Sequence, residues 1–481
     1  MTKATQAEAS MHVTTFSQAQ AFLLSHTPQS IGATFPGAKG LERTIHLLDL
    51  LGNPQQKLKV IHIAGTSGKG SSAYLLSIML KALGFSVGLH LSPYISDLRE
   101  GFQISNRLIN KEEFCAFLNE IRDAIDRVKQ SPLGSPTYFE ILIALVFYTF
   151  YRKGVDFAVI ETGLGGSYDA TNAASAPDKL CLITKIGFDH TRILGDTLAK
   201  IAFHKAMIMH KGNVALSVSQ KTNAKKMIEK VAKEQRATPF FLEKNVSATR
   251  IRAQQKETVF DFSFRNLTLQ NIRLGLIGAH QAENCALALG AVVLLSERHH
   301  FAVDENHIRA ALANAHLPGR MEIVKSKKGT IIIDGAHNPQ KMAALSRGLK
   351  KFFPEKTFHF LIAFKKGKDY IRILDYIVPL AKTITLTSCS PPSKSVLVPS
   401  VPPAKVAAAL AKRGFSNYRV VFRPREALNM CLKDALSPLV VTGSLYLIGN
   451  LYPVIPHLRQ KNQNEAIRGI GGVALDPSYR R

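Results

Sequence analysis

The stretch Val60-Ile61-His62-Ile63-Ala64-Gly65-Thr66-Ser67-Gly68-Lys69-Gly70-Ser71-Ser72, running on as AYLLSIMLKALG to Gly84, decides how this chain is read. Its first five residues are an apolar, β-rich run. Small residues then dominate up to Ser72, and the segment beyond reads as a helix stopped by Gly84. SVGLHLS (86–92) is a second strand. Strand, glycine loop, helix and strand in that order open an α/β domain with a parallel sheet. Backbone N–H groups of such a loop can cradle phosphate oxygens, aided by the positive end of the helix. Lys69 can neutralise β- and γ-phosphates, and a hydroxyl just after it can ligate Mg2+. The loop is not a strict Walker sequence, because position 63 is Ile and Gly70 separates Lys69 from Ser71. The bland alternative is a plain strand-to-helix turn.

Working outward, FSQAQAFLLSH (16–26) and LERTIHLLDLLG (41–52) have helical periodicity and make residues 1–57 a helical leader. Downstream, 110–130 is an amphipathic helix, and 137–154 is an apolar and therefore buried one. VDFAVIETGLGG (155–166) and KLCLITKIG (179–187) are buried strands running into glycine turns. Alternating runs between about 238 and 274 predict a small antiparallel patch. HLPGRMEIV (316–324) punctuates the chain, and a second series of strands and helices follows it. The expected fold is therefore α/β: an N-terminal P-loop ATPase-like domain with a parallel sheet, plus a smaller C-terminal Rossmann-like domain. The expected boundaries are 1–314, 315–458, and a mobile tail at 459–481.

Apolar residues make up 46% of the 481-residue chain, enough for packed cores. No run of 18 apolar residues predicts a transmembrane helix, and the N-terminus lacks the pattern of a secretory signal. The five cysteines (115, 181, 285, 389, 431) form no CxxC pair, which fits inert thiols in a reducing cytoplasm. The net charge of +27 favours anionic partners without choosing among them. A dedicated nucleic-acid binder should cluster its basic residues, whereas here the excess is diffuse.

Further polar groups stand at strand ends, on the ligand edge of a parallel sheet. They are Glu161-Thr162-Gly163-Leu164-Gly165-Gly166 with Asp169-Ala170-Thr171-Asn172, and Asp189-His190. His204-Lys205 lies in an apolar helix, where a lysine is ordinarily a snorkelling surface residue. Gly278 to Asn284, Pro318-Gly319-Arg320, Asp334-Gly335-Ala336-His337-Asn338-Pro339 and Thr442-Gly443-Ser444-Leu445-Tyr446 complete the series. Each is weak alone, and their order carries the meaning.

In that order the segments GLERTIHLLDLLGNPQ, HIAGTSGKGSS, LSPYI, TYFEILIAL, ETGLGGSYDATN, HKAMIMHKG, GAHQAENCALAL, PGRMEIV, DGAHNP and VTGSLYLIG resemble the folylpolyglutamate synthase/dihydrofolate synthase family of the Mur-ligase superfamily. The resemblance spans roughly residues 15–455. It implies an ATP-dependent ligase that activates a folate or pteroate carboxylate as an acyl phosphate and joins it to L-glutamate. Asp169 to Asn172 match members that also make dihydrofolate from dihydropteroate, which favours a bifunctional enzyme.

By the same resemblance, Gly65, Thr66, Ser67, Gly68, Lys69, Gly70, Ser71, Asn284, Arg320 and Asp334 bind the nucleotide. Ser71, Glu161, His190 and Lys205 hold Mg2+ at two sites, with Lys205 carbamylated, and a monovalent cation is a further expected cofactor. Lys69, Lys205 and His337 are the expected catalytic residues. Ser92, Pro93, Tyr94, Asp169, Ala170 and Ser444 face substrates. A cytoplasmic monomer without membrane or nucleic-acid partners is implied.

Four departures from the family pattern stand out: Ser67 for Asn, Tyr94 for His, Arg99-Glu100-Gly101-Phe102 in the loop over folate, and Met207 after Lys205-Ala206. The alternatives are a Mur-type ligase acting on a peptidoglycan precursor, for which the segment before the loop is too short to add a UDP-sugar domain, and a basic nucleic-acid-binding P-loop protein. A degenerate binding module is disfavoured by the intact Lys69, Ser71, Glu161, His190 and Lys205.

Overall fold

The run at 60–64 forms strand β1 (Val60–Ala64), all five residues of which are buried. A strand buried on both faces needs cover on both, and a parallel sheet with helices on each side supplies it. The computed structural model describes residues 12–28, 35–242, 247–326, 328–390, 399–434 and 438–455. The predicted tail at 459–481 lies outside them.

Two leader helices, α1 (Phe16–Ser25) and α2 (Ala38–Leu50), precede β1. The glycine loop leads from β1 into α3 (Lys69–Ala82), and the chain returns as β2 (Val87–His90). Short strands β3 (Gln103–Ile104) and β4 (Arg107–Leu108) fold back antiparallel as an edge. Helices α4 (Lys111–Gln130) and α5 (Tyr138–Arg152) follow. Then come β5 (Phe157–Glu161), β6 (Leu180–Ile183), α6 (Leu198–Ala206), β7 (Val214–Val218) and β8 (Thr238–Leu242).

The eight strands lie in the order β4-β3-β2-β5-β1-β6-β7-β8. Strands from β2 to β8 along that order run parallel. Helices α1, α2, α4 and α5 pack one face of the sheet, and α3 packs the other. The switch in winding at β1 leaves a crevice beyond its C-terminal end, flanked by the ends of β5 and β6.

The antiparallel patch is β9 (Ser247–Ala253), β10 (Thr258–Phe264) and β11 (Leu267–Leu274). It is shorter than the sequence suggested. Residues 238–242 instead extend the main sheet as β8, because the helix before them provides a crossover that returns the chain parallel to β7. Helix α7 (Ala279–His299) packs against α3.

The second sheet contains β12 (Glu322–Ser326) and β13 (Gly329–Ile333), which pair antiparallel. Helix α8 (Pro339–Phe352) leads to β14 (Phe358–Ile362), β15 (Ala381–Leu386), β16 (Tyr418–Val420) and β17 (Leu439–Thr442). The order is β12-β13-β17-β14-β15-β16, parallel after the first pair. The α/β class is thus as the sequence indicated, with a parallel-rich first sheet and a smaller second one. Among the described residues, no helix is long and apolar enough to cross a membrane. The five cysteines are buried free thiols.

The leader is fastened by charge. Arg43 Nε and Nη2 each donate to a Glu140 carboxylate oxygen at 2.8 Å, and both side chains are buried. Gly40 permits this approach, since a Cβ there would lie 2.9 Å from Glu140 Oε1. Removing one partner leaves a buried charge uncompensated, which costs about 3–5 kcal/mol. Arg43→Met should therefore lower stability by about that amount in chemical denaturation. Arg43→Lys should lose part of it, because an ammonium cannot reproduce the two-pronged contact. A loss below about 1 kcal/mol for Arg43→Met would mean that water compensates Glu140.

Candidate active site

The phosphate loop is held from both sides. A Cβ at Gly65 would collide with Thr184 Oγ1, and one at Gly68 with Asn284 Oδ1. Both glycines have positive φ, at 148° and 102°, so the loop needs glycine for conformation as well as space. Asn284 is thereby set against the loop, and its carbonyl accepts from Ser72 Oγ at 3.2 Å. Not every loop N–H is open to a ligand. Those of Thr66 and Ser67 donate to the Lys185 carbonyl at 3.0 and 3.2 Å. The donors left for an anion are those at the helix start, from Gly68 to Ser71, which lack intrahelical acceptors.

Register places Glu161 beside Ile63, just before the loop. Its carboxylate is 3.7 Å from Lys69 Nζ and accepts the Ser92 N–H at 3.0 Å. Burial pushes the Glu161 carboxyl up, against the opposing pull of Lys69. A Cβ at Gly70 would stand 3.2 Å from Glu161 Oε2, so the absent side chain keeps that oxygen accessible to the loop. The buried Ser71 follows in the same turn.

Lys205 is not a surface lysine. It is buried on α6 and donates to the Gly65 carbonyl at 2.7 Å. Burial, with Lys69 nearby, lowers its proton affinity to about 7. His190 begins a turn with left-handed backbone, and its Nε2 lies 3.3 Å from Lys368 Nζ. Burial and Lys368 push it down to about 3.

Asp189 joins the two sheets. It accepts from Lys368 Nζ at 2.8 Å and from Asn338 Nδ2 at 3.1 Å. Burial alone would raise its carboxyl, but Lys368, His190 and His337 outweigh burial and hold it far below the ordinary range. From α8, Gln340 Oε1 accepts from Ser67 Oγ of the loop at 3.5 Å.

The other predicted residues divide by what their polar atoms already do. Asp334 accepts the N–H groups of Met321 and Ala336, both at 2.8 Å, and is raised by burial against nearby Arg320. Arg320 Nη1 donates to the Gly319 carbonyl at 3.1 Å. Ser444 caps a helix by accepting from Tyr446 N. Asp169 accepts from Leu164 N at 2.7 Å and from both N and Oγ1 of Thr171, which leaves its carboxylate shaping the loop that carries Ala170. Tyr94 and Tyr138 hydroxyls meet at 2.6 Å, and Pro93 sits between Tyr94 and Ser92. Glu100, which Gly101 follows where the family pattern has an arginine, closes its own loop by accepting from the N–H groups of Ile95, Ser96 and Asp97. His337 Nδ1 donates to Gly335 O at 2.8 Å, and its Nε2 accepts from Lys341 Nζ at 3.3 Å.

Lys341, Lys368 and Gln340 escaped sequence reasoning as site residues, and Asn338 stood in the motif from Asp334 to Pro339 without a role of its own. A signal existed for Lys341: a lysine in the first turn of α8 stands at the wrong end of the helix dipole. Lys368 follows the end of β14, the ligand edge of its sheet. His62, inside β1, places Nε2 within 2.8 Å of Thr171 Oγ1 and 3.1 Å of Thr162 Oγ1, tying two loops together. Nothing in the sequence around it pointed there.

Residues 63–292 match the Mur ligase middle domain, and residues 319–454 match the C-terminal domain of dihydrofolate synthetase. A dihydrofolate synthase/folylpolyglutamate synthase of Bacillus subtilis is 31% identical over 417 residues, covering 86% of this chain and 94% of that relative. The folylpolyglutamate synthase of Lacticaseibacillus casei is 30% identical over 410 residues, covering 84% and 92%. The structure of Mycobacterium tuberculosis folylpolyglutamate synthase complexed with ADP is similar with a TM-score of 0.83 at 27% identity, covering 92% of this chain and 99% of that one.

Lys205 makes stability depend on pH. Below about 7 it is protonated in both states; between about 7 and 10.5 only the unfolded chain keeps the proton. The unfolded state then binds more protons, so stability rises with pH across that window. Lys205→Met should reduce this rise by about 1 kcal/mol per pH unit between about pH 7.5 and 9, read from denaturation midpoints. An unchanged slope would mean that folded Lys205 retains its proton.

Proposed function

Because the chain belongs to the dihydrofolate synthase/folylpolyglutamate synthase family of Mur-type ligases, we propose that it is an ATP-dependent ligase joining L-glutamate to dihydropteroate and adding γ-linked glutamates to tetrahydrofolate. The observation that carries this reading is the meeting, in one crevice, of the phosphate loop, Lys69, Glu161 and the lysines of the second sheet. Joining two anions requires cations between them.

The substrate carboxylate attacks the γ-phosphorus of ATP. An O–P bond forms as the bond to the β–γ bridging oxygen breaks, and ADP leaves with that electron pair. The amine of L-glutamate then attacks the acyl carbon, inorganic phosphate leaves, and the nitrogen gives up a proton. Lys69 and the N–H groups opening α3 bind the phosphates, while Asn284, Arg320 and Asp334 border the nucleotide. Ser92, Pro93, Tyr94 and Ala170 line the pterin side, with Asp169 holding the loop in shape. His337 and Ser444 border the amino-acid side. Closure of the two halves through Asp189, Asn338 and Lys368 excludes water that would hydrolyse the acyl phosphate.

The oxygen donors of Ser71 and Glu161 suit a hard cation that keeps several waters, and these two residues would hold Mg2+. Bound there, it supplies charge neutralisation to the phosphate oxygens. His190 and a carbamylated Lys205 would serve a second ion. A lysine neutral near pH 7 can attack CO2, forming an N–C bond and releasing a proton. With 13C-bicarbonate, a carbamate resonance should appear in the wild type and be missing in Lys205→Ala. A resonance that persists in the variant would remove this role.

The function itself is tested by phosphate release from Mg-ATP with L-glutamate. Release should require dihydropteroate or tetrahydrofolate, and Lys69→Ala should cut it by about 100-fold or more. Release supported by neither folate would turn attention to another acid substrate and to the loop around Gly101.

A further inference from the structure

We propose that Lys341 is a second phosphate-binding cation, carried by the C-terminal sheet, that closes on the γ-phosphoryl group of ATP from the half of the molecule facing Lys69. The inference rests on the ATP-ligase reading above and adds to it a residue from outside the phosphate loop.

Lys341 stands in the first turn of α8, where Asn338 Oδ1 accepts its N–H at 2.9 Å. The helix start is the positive end of the dipole, which disfavours an ammonium group. The charges around it make matters worse. Arg320, Lys69 and Lys368 repel it, and Asp189 attracts it. Asp189, however, is already engaged by Lys368 and Asn338. The contact that Lys341 Nζ makes is with His337 Nε2 at 3.3 Å. His337 presents a lone pair there because its Nδ1 donates to Gly335 O. That uses one of three ammonium hydrogens. A partly buried cation so placed is costly until an anion arrives.

The position also fits. Gln340, the preceding residue, reaches Ser67 of the phosphate loop at 3.5 Å and occupies the space left by the missing Cβ of Gly187. Glu161 and Asp334 both feel Lys341 as a neighbouring charge, so it is close to the loop's carboxylate as well as to the second sheet. Backbone N–H groups of a phosphate loop cradle the inner phosphates, and its lysine reaches the β- and γ-phosphates. A cation arriving from the other half meets the outermost one, the group being transferred.

The test compares AMPPCP, which has a γ-phosphonate, with ADP, which has no third phosphate, by calorimetric titration of the full chain with Mg2+. Lys341→Met should weaken AMPPCP binding about tenfold or more and leave ADP within about twofold. Lys341→Arg should restore most of the AMPPCP affinity. Lys341→Gln gives the same comparison if the Met variant does not fold. Equal weakening of both nucleotides would make Lys341 a packing residue. No change in either would assign it away from the nucleotide. In both cases the proposal fails while the ATP-ligase reading stands. A wild-type chain that binds neither nucleotide would sink that reading instead.

Discussion

Crowding of Lys69, Lys205, Lys341, Lys368 and Arg320 into one crevice is the constraint on which the rest of the structure depends. Like charges held together out of water repel, and the protein offers too few free carboxylates to settle them. Asp169 and Asp334 are engaged by backbone N–H groups, and Asp189 by Lys368 and Asn338. Glu161 is shared between Lys69 and the Ser92 N–H. Such an arrangement persists only because two well-packed sheets hold it, and its natural completion is a polyanion. The stability lost in placing the cations is of a kind that functional sites commonly carry.

The scaffold was readable because its signals are local. The run at 60–64, the glycine loop and the helix after it follow from apolar content and small residues alone. Strand-end positions for Glu161 and Asp189 followed from the same logic. What periodicity could not reveal was the use to which each polar atom is put. Asp169, Asp334 and Ser444, for example, use their side chains to hold backbone N–H groups. The engagement of the Thr66 and Ser67 N–H groups by Lys185 was equally invisible, because it joins residues more than a hundred positions apart. Lys368 was missed for the same reason: its partners, Asp189 and His190, lie at the edge of the other sheet. The assignment of 238–242 to the antiparallel patch failed because alternation marks a strand without saying which sheet it joins.

The net charge of +27 is explained only in small part by the crevice. Many basic side chains elsewhere are exposed and paired with single carboxylates, as Arg273 is with Glu257 and Arg423 with Glu426. Such pairs contribute little to stability. The remaining excess has no structural explanation.

The binding of Thr66 and Ser67 to Lys185 has a consequence for entropy. A glycine-rich loop free in solution would lose conformational freedom each time a phosphate docked, and affinity would fall by that loss. Here the loop is already fixed at both flanks, by the Lys185 carbonyl and by the glycines pressed against Thr184 and Asn284. The ordering cost was met once, when the chain folded. What a ligand finds is a rigid receptacle whose selectivity comes from shape and charge, and whose on-rate is limited by reaching the crevice rather than by rearranging its floor.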